Sequence, residues 1–386
     1  MVPGTGEGGL SDIVPLTTPI YATSTFVFEN AKDVVAYQEG RSSKYLYSRY
    51  RNPTIVAVER KLATLDRTEK ALLFSSGQGA TTTILMAHAK AGDEIICSAA
   101  IYGGTLNLLN DLLAKFGVLI RLVSLDDLAH PDRIIGDRTK VLWFESPTNP
   151  TTRCVDIATI AKACRARGVL SVMDNTFASP INQQPLDLGV DLAMQSATKY
   201  LNGHSDVTAG VVTGPAALVD LIEKTRKTAG TVMDPMPAYA LGRGLKTLPL
   251  RIARHNANAQ EVAEFLEGHK RVTRVYYPGL ASHPDHDIAK RQMTGYGGIL
   301  CFDLGGRYER AERIYDRLNV IKRAASLGGV ESLISMPVLT SHWGHTDEQL
   351  RAAGVTKGML RLSVGIEDAA DLIADLDQSL GSKHHG

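Results

Sequence analysis

The chain has 386 residues, 42 Lys and Arg against 41 Asp and Glu, and a formal net charge of +1 at pH 7. A balance that even, with neither a basic stripe nor an acidic tail, argues against nucleic acid and anionic membrane as partners, and the length exceeds one ordinary domain, so two are expected. No apolar run reaches the length of a membrane span, and Met1-Val2-Pro3-Gly4-Thr5-Gly6 lacks the regions of a secretory signal, so a cytoplasmic protein is expected.

Residues 1–50 carry little periodicity, many Ser, Thr and Tyr, and Pro3, Pro15 and Pro19. Such an arm cannot bury a core of its own and is expected to lie over another surface. Its end, Tyr45-Leu46-Tyr47-Ser48-Arg49-Tyr50-Arg51, reads by residue type as an aromatic and basic surface patch. From Asn52 the pattern turns helical, with Ile55, Val58, Leu62 and Leu65 on one face. Ala71 to Phe74 is a short apolar strand, and Ser75-Ser76-Gly77-Gln78-Gly79-Ala80 leads from it into a helical run through Met86. A strand, a glycine turn and a helix start can hold a phosphate, because unpaired N–H groups and the helix dipole face the anion. A purely structural glycine turn is the other reading. The segment matches neither GxGxxG nor GxxxxGK[ST], which argues against a nicotinamide or nucleoside triphosphate.

Apolar strands follow near 94–98, 118–123, 139–145, 169–174, 190–195 and 207–213, separated by helical stretches such as 105–117 and 156–168. The alternation predicts an α/β fold with a largely parallel, doubly wound sheet, placed at 51–240. Tyr102 follows one of these strands, as a half-buried loop tyrosine or as part of a site. The runs Val169 to Met173 and Val190 to Met194 end in chemistry-bearing residues, Asp174 after the first and Ser196, Thr198 and Lys199 after the second. Functional groups gather at the C-terminal ends of parallel strands. A desolvated lysine there can lower its pKa and form a Schiff base, where the blander alternative is a lysine snorkelling from a strand end. A carboxylate for a pyridinium nitrogen together with such a lysine is the pair that pyridoxal phosphate needs.

Residues 241–386 read as a smaller α+β region. A helical section over 237–269 is interrupted by Pro249, which should kink or divide it. Strands are expected near 272–277, 298–304 and 359–364, a helix at 307–318, and a closing helix on Leu372, Leu376 and Leu380. His283 with His286, and His342 with His345, are spaced i, i+3 but lack the glutamate of HExxH and a third ligand, so no metal is expected. Cys97, Cys154, Cys164 and Cys301 form no CxxC pair and read as buried small hydrophobes. Arg361 lies in an apolar strand, where a buried guanidinium needs an anionic partner, either an internal acid or a substrate carboxylate. The last residues, Lys383 to Gly386, read as a frayed tail.

The segments YSRYRNPT (47–54), SSGQGA (75–80), IYGGT (101–105), ESPTNP (145–150), DNTFASP (174–180), SATKYLNGHSD (196–206), YPGL (277–280) and LRLSVGIED (360–368) run in order along nearly the whole chain. They resemble the Cys/Met metabolism family of pyridoxal-phosphate enzymes, which includes cystathionine γ-synthase, cystathionine γ-lyase, methionine γ-lyase and the O-acylhomoserine sulfhydrylases. The resemblance implies a fold-type I transferase like aspartate aminotransferase, with a mostly parallel seven-stranded sheet and a smaller C-terminal α+β domain. It implies that Lys199 joins the cofactor aldehyde, that Asp174 pairs with the ring nitrogen, and that Tyr102 stacks on the ring and acts on the leaving group. Gly77, Gln78, Ser196 and Thr198 would hold the phosphate, joined by Tyr47 and Arg49 from the adjacent protomer of a homotetramer with shared sites. Arg361, Ser326 and Asn149 would hold the substrate α-carboxylate. Many relatives carry methionine at position 78, and Gly104 stands where methionine γ-lyases usually have a reactive cysteine. Glu331 resembles the glutamate of the cystathionine enzymes that attracts a distal ammonium, where its other reading is a solvated carboxylate at a helix start. The implied activity is γ-elimination or γ-replacement on a small amino acid, cystathionine or an O-acylhomoserine. A methionine γ-lyase or O-acylhomoserine sulfhydrylase is the alternative, and a non-catalytic cofactor-binding homologue the alternative of another class.

Overall fold

The computed structural model describes residues 14–381, so Met1-Val2-Pro3-Gly4-Thr5-Gly6 and the expected frayed tail from Lys383 lie outside the described residues. Seven apolar runs form one sheet: β1 Lys70–Phe74, β2 Glu94–Ser98, β3 Leu119–Val123, β4 Thr139–Glu145, β5 Leu170–Asp174, β6 Leu192–Ser196 and β7 Gly210–Gly214. Their order is β1-β7-β6-β5-β4-β2-β3. The run from β6 to β3 is parallel, while β7 lies antiparallel to β1 and β6. Alternate residues of β4 enter different cores, Val141 and Trp143 on one face, Leu142 and Phe144 on the other. Burial on both faces is why these strands read as unbroken apolar runs. In the β4–β5 register Glu145 stands opposite Asp174, so two acids end neighbouring strands on the same side of the sheet.

The helices owe their starts to polar caps. The exposed arm contains α1, Ala31–Gln38, capped by Asn30 but with no buried residue, which is why no apolar stripe announces it. In α2, Pro53–Leu65, Asn52 is the cap and Pro53 fills the first position, where a missing N–H costs nothing. In α3, Gly77–His88, the Ser76 hydroxyl accepts from Gly79 N–H at 2.9 Å. Where one helix is expected over 105–117, the chain winds at three pitches: α4, Gly103–Asn107, a wide π-turn over Leu108–Leu112, and a 3-10 turn over Leu113–Phe116. The changes of pitch keep Leu108, Leu109 and Leu113 buried, and the segment stops at Gly117 with φ +78°. The expected division near Pro249 is present. Helix Pro235–Gly244 passes through a 3-10 turn, Leu245–Thr247, into helix Leu248–Gly268, whose first turn takes the proline.

A second sheet has β8 Arg274–Tyr276, β9 Ile299–Asp303, β10 Lys322–Arg323, β11 Leu333–Ser335 and β12 Met359–Ser363, in the order β10-β11-β12-β9-β8. Two- and three-residue strands such as β10 and β11 are too short to show a period, so the sequence announces neither. Phe302, Leu360 and Leu362 of this sheet share a core with Val262, Leu266 and Leu376 of the two helices laid on it. Helix Ala216–Ala229 also escapes sequence reading, because only Val219, Ile222 and Arg226 along it are buried. Among the described residues no helix is long and apolar enough to cross a membrane, and all four cysteines are buried free thiols.

Candidate active site

A cavity of roughly 290 Å³ opens at the C-terminal ends of β4, β5 and β6, walled by the first turn of α3, the turn holding Tyr102, and Ser326 and Arg361 from the second sheet's side. One end is a close-packed cradle. A Cβ on Gly77 would stand 3.1 Å from Ser196 Cβ, and one on Gly210 would stand 2.2 Å from Ser76 O, so α3 starts hard against the ends of β6 and β7. The amides of Gly77 and Gln78 belong to the first helical turn, where N–H groups have no acceptor within the helix. Ser196 and Thr198 line the same end. The Thr198 hydroxyl is shared with Ala209, accepting its N–H at 2.9 Å and donating to its carbonyl at 3.2 Å.

Lys199 sits on a tight turn after β6, closed by Asn202 N–H donating to Ala197 O and Gly203 N–H to Lys199 O. The turn is pinned by Arg251, whose buried guanidinium donates to Tyr200 O at 2.7 Å, Gly244 O at 2.9 Å and Leu201 O at 3.4 Å. Lys199 Nζ points into the cavity and donates to Ser326 Oγ at 2.9 Å. Burial, with the Arg361 charge as the second cause, lowers its pKa to about 8. Across from it, Asp174 Oδ1 accepts the Thr176 N–H at 2.9 Å, and burial holds its carboxyl above the usual range.

Arg361, 9% exposed, donates from Nη1 to Asn149 Oδ1 at 2.9 Å and from Nη2 to Ser326 O at 3.2 Å. Its Nε is buried without a partner, and among the described residues no carboxylate lies within ion-pair reach of it. A buried guanidinium satisfied only by neutral oxygens leaves a place for an external anion. Ten of the residues singled out in the sequence thus face one cavity.

Three others stand apart. Tyr47, 40% exposed, and Arg49 lie on the arm; Arg49 stacks over Tyr47 at 5.6 Å and donates to Lys227 O at 2.6 Å. Glu331 is absent from the cavity wall, and its carboxylate accepts the Ser205 hydroxyl. The histidine pairs are engaged locally: His283 Nδ1 accepts the Asp285 N–H, His286 Nδ1 shares a hydrogen bond with Pro278 O, and the His342 and His345 rings meet edge to face. Among the described residues no group of three or more His, Cys, Asp or Glu could hold a metal.

Sequence reasoning missed Glu145, which lines the cavity and accepts the Tyr102 N–H at 2.6 Å. Burial and the neighbouring Asp174 charge push its carboxyl well above the usual range. The signal was available, since β4 ends in an acid just as β5 does. Thr176 and Phe177, within the DNTFASP segment, and Thr208, from a loop whose sequence carries no comparable signal, also line the wall. A close-packed cradle, a partly deprotonated amine, an acid and an unpaired guanidinium fit an anionic pyridine aldehyde carrying an amino acid.

Residues 11–381 match the family model described as Cys/Met metabolism PLP-dependent enzyme. Cystathionine gamma-synthase 1, chloroplastic, of Arabidopsis thaliana is 40% identical over 376 residues, 97% of this chain, and the chain spans 66% of that relative's length. L-methionine gamma-lyase of Pseudomonas putida is 42% identical over 367 residues, 95% of this chain and 92% of the relative. Among solved structures, cystathionine gamma-lyase from Lactobacillus plantarum complexed with L-serine is similar with a TM-score of 0.88 at 40% identity, covering 95% of this chain and 93% of that one.

Proposed function

This chain belongs to the Cys/Met metabolism family of pyridoxal-phosphate enzymes, and from that premise we propose that it breaks or exchanges the γ-substituent of cystathionine or an O-acylhomoserine. The observation that carries this reading is one cavity in which a buried amine, Lys199, faces an acid, Asp174, and a buried guanidinium, Arg361, that has no acid partner among the described residues. A non-catalytic relative would have no use for all three.

Lys199, Asp174 and Tyr102 would hold the cofactor ring, and Gly77, Gln78, Ser196 and Thr198 its phosphate, with Tyr47 and Arg49 supplied by a neighbouring protomer. When bound, pyridoxal phosphate supplies an aldehyde for the substrate amine to join and a protonated ring that accepts the electrons left at Cα. Arg361 binds the substrate α-carboxylate, and Asn149 and Ser326 orient the guanidinium that does so. With a pKa of about 8, Lys199 Nζ is free often enough to take the α-proton near neutral pH. The Tyr102 phenol, at the cavity wall, would act on the departing γ-substituent. Glu331 acts at longer range, drawing the distal ammonium of cystathionine or cysteine.

Oligomerisation as a homotetramer, dimer of dimers, is supported by the exposed apolar side chains of the arm, Leu16 and Val27 among them. A cytoplasmic setting is supported by the four buried free thiols. A second reading, methionine γ-lyase, is favoured by the 42% identical relative in Pseudomonas putida.

The decisive experiment offers the holoenzyme cystathionine, methionine, homocysteine, and O-succinyl- or O-acetylhomoserine with cysteine or sulfide. Turnover of cystathionine or an ester should exceed that of methionine; turnover of methionine alone transfers the assignment to the second reading. Glu331→Ala should weaken cystathionine turnover more than methionine turnover, and equal effects remove Glu331 from the account. Protein that stays colourless after incubation with pyridoxal phosphate defeats the whole proposal.

A further inference from the structure

Two contacts without an assigned role meet on the turn from Ile101 to Thr105. On one side, Glu145 Oε1 accepts the Tyr102 N–H at 2.6 Å. On the other, Gln78 Nε2 donates to Gly104 O at 2.9 Å. The turn rests against a third segment as well, since a Cβ on Gly103 would stand 3.2 Å from Ser341 O. Tyr102, 54% exposed, lines the cavity at its rim.

The simplest use of Glu145 is to cap α4, whose preceding residue, Tyr102, offers no side-chain cap. That use alone does not account for the residue type. Glu145 is 4% exposed and stands in register beside the acid Asp174, with the buried Cys97 thiol on its other flank. A second buried acid is costly there, and a glutamine of the same length would accept the same amide without that cost. Gln78 is equally pointed. A methionine at 78 would have no donor to offer, and Gly104 admits the contact because it has no side chain. A Cβ on Gly104 would stand 2.4 Å from Tyr102 Cε1 and 3.1 Å from Gln78 Oε1. The ring therefore folds back over the glycine, and the amide closes the turn behind it.

We propose that Glu145 and Gln78 form a two-ended clamp on this turn and are positioning residues for the reaction, fixing where the Tyr102 phenol stands at the cavity rim. The inference rests on the reading of Tyr102 given above. Its consequence is a division of labour: the leaving group is handled by a side chain whose aim is set by β4 and by the first turn of α3, not by its own loop.

The test compares Gln78→Met, Glu145→Ala, Glu145→Gln and Tyr102→Phe as holoenzymes, by amide hydrogen exchange of the 101–108 segment and by kcat, KM and cofactor dissociation constant. Gln78→Met and Glu145→Ala should each speed exchange across Tyr102–Leu106 and lower kcat, both by about fivefold, the size expected for one neutral hydrogen bond. In Gln78→Met, KM and the cofactor dissociation constant should move less than kcat, because the backbone amide given to the phosphate is kept and only the side chain changes. Glu145→Gln, which keeps an accepting oxygen, should restore both exchange and kcat. Gln78→Met alters only a half-buried side chain and keeps the test open if Glu145→Ala fails to fold. Unchanged exchange in Gln78→Met overturns the clamp. If Tyr102→Phe slows the reaction while the two clamp variants do not, the positioning role falls and the reading of Tyr102 stands. If Tyr102→Phe itself leaves kcat intact, that reading falls and takes the positioning role with it.

Discussion

Lys199 is a lysine whose pKa is lowered by burial first and by the Arg361 charge second. Its pKa of about 8 has a measurable sign. Below that pH the amine of the apo-protein is protonated and cannot attack an aldehyde; above it the amine is free. The rate of pyridoxal phosphate uptake, followed by stopped-flow absorbance, should rise with pH through about 8 and then level, whereas a solvated lysine would carry the rise to about 10.4. Arg361→Ala removes one of the two causes, so the midpoint should move up; the same change should raise substrate KM by about 10- to 100-fold through loss of a charged hydrogen bond. A rate still climbing at high pH in the unaltered protein would contradict the placement of this amine. Lys199, Asp174 and Arg361 were legible in the sequence because each is a polar residue set at the end of, or inside, an apolar run. Glu145 obeys the same rule at the end of β4. What no single residue announces is a partner from a distant loop, as Ser326 is for Lys199 Nζ.

The elements around the cradle are packed to a tolerance smaller than one methyl group. Gly210 in β7 would place a Cβ 2.2 Å from Ser76 O and 2.8 Å from Gly77 Cα, both backbone atoms at the start of α3. Neither can swing aside as a side chain would. Gly210→Ala should therefore push α3 away from β7 and weaken cofactor binding by at least about tenfold, with far-UV circular dichroism unchanged, the cost being typical of overpacking a core. Retained affinity would mean that the first turn of α3 does not form the phosphate cradle. Strands and helices of ordinary length in the seven-stranded sheet were readable, since burial on both faces writes continuous apolar runs. The short strands Lys322–Arg323 and Leu333–Ser335 were not, because two or three residues hold no period, and their placement comes from pairing with Met359–Ser363 and its neighbours. The pitch changes over 103–116 were equally silent, since segments of five, five and four residues are too short to display the different periods of α, π and 3-10 turns.

At the scale of the whole molecule, Tyr47 and Arg49 lie on an exposed arm away from their own cavity wall. If each site borrows them from a neighbour, two inactive proteins can repair one another. Mixing Arg49→Ala with Lys199→Ala protein, under conditions where subunit exchange is confirmed by mass, should recover a measurable part of the original activity, since some hybrid sites hold both an intact arm and an intact lysine. No recovery would place the two residues outside the neighbour's site. The division into two sheets has a further consequence. Lys199 hangs from one sheet and Arg361 is threaded through the other, so, on the proposed roles, an amino acid held by its carboxylate at Arg361 and by its amine at a cofactor seated beside Lys199 would act as a rivet across the seam. The span between the sheets would then gauge the part of the molecule that every amino acid has in common. The turn at Ile101–Thr105 and the segment lying on it would be left to judge the rest, and such surface turns can change their taste without disturbing the frame.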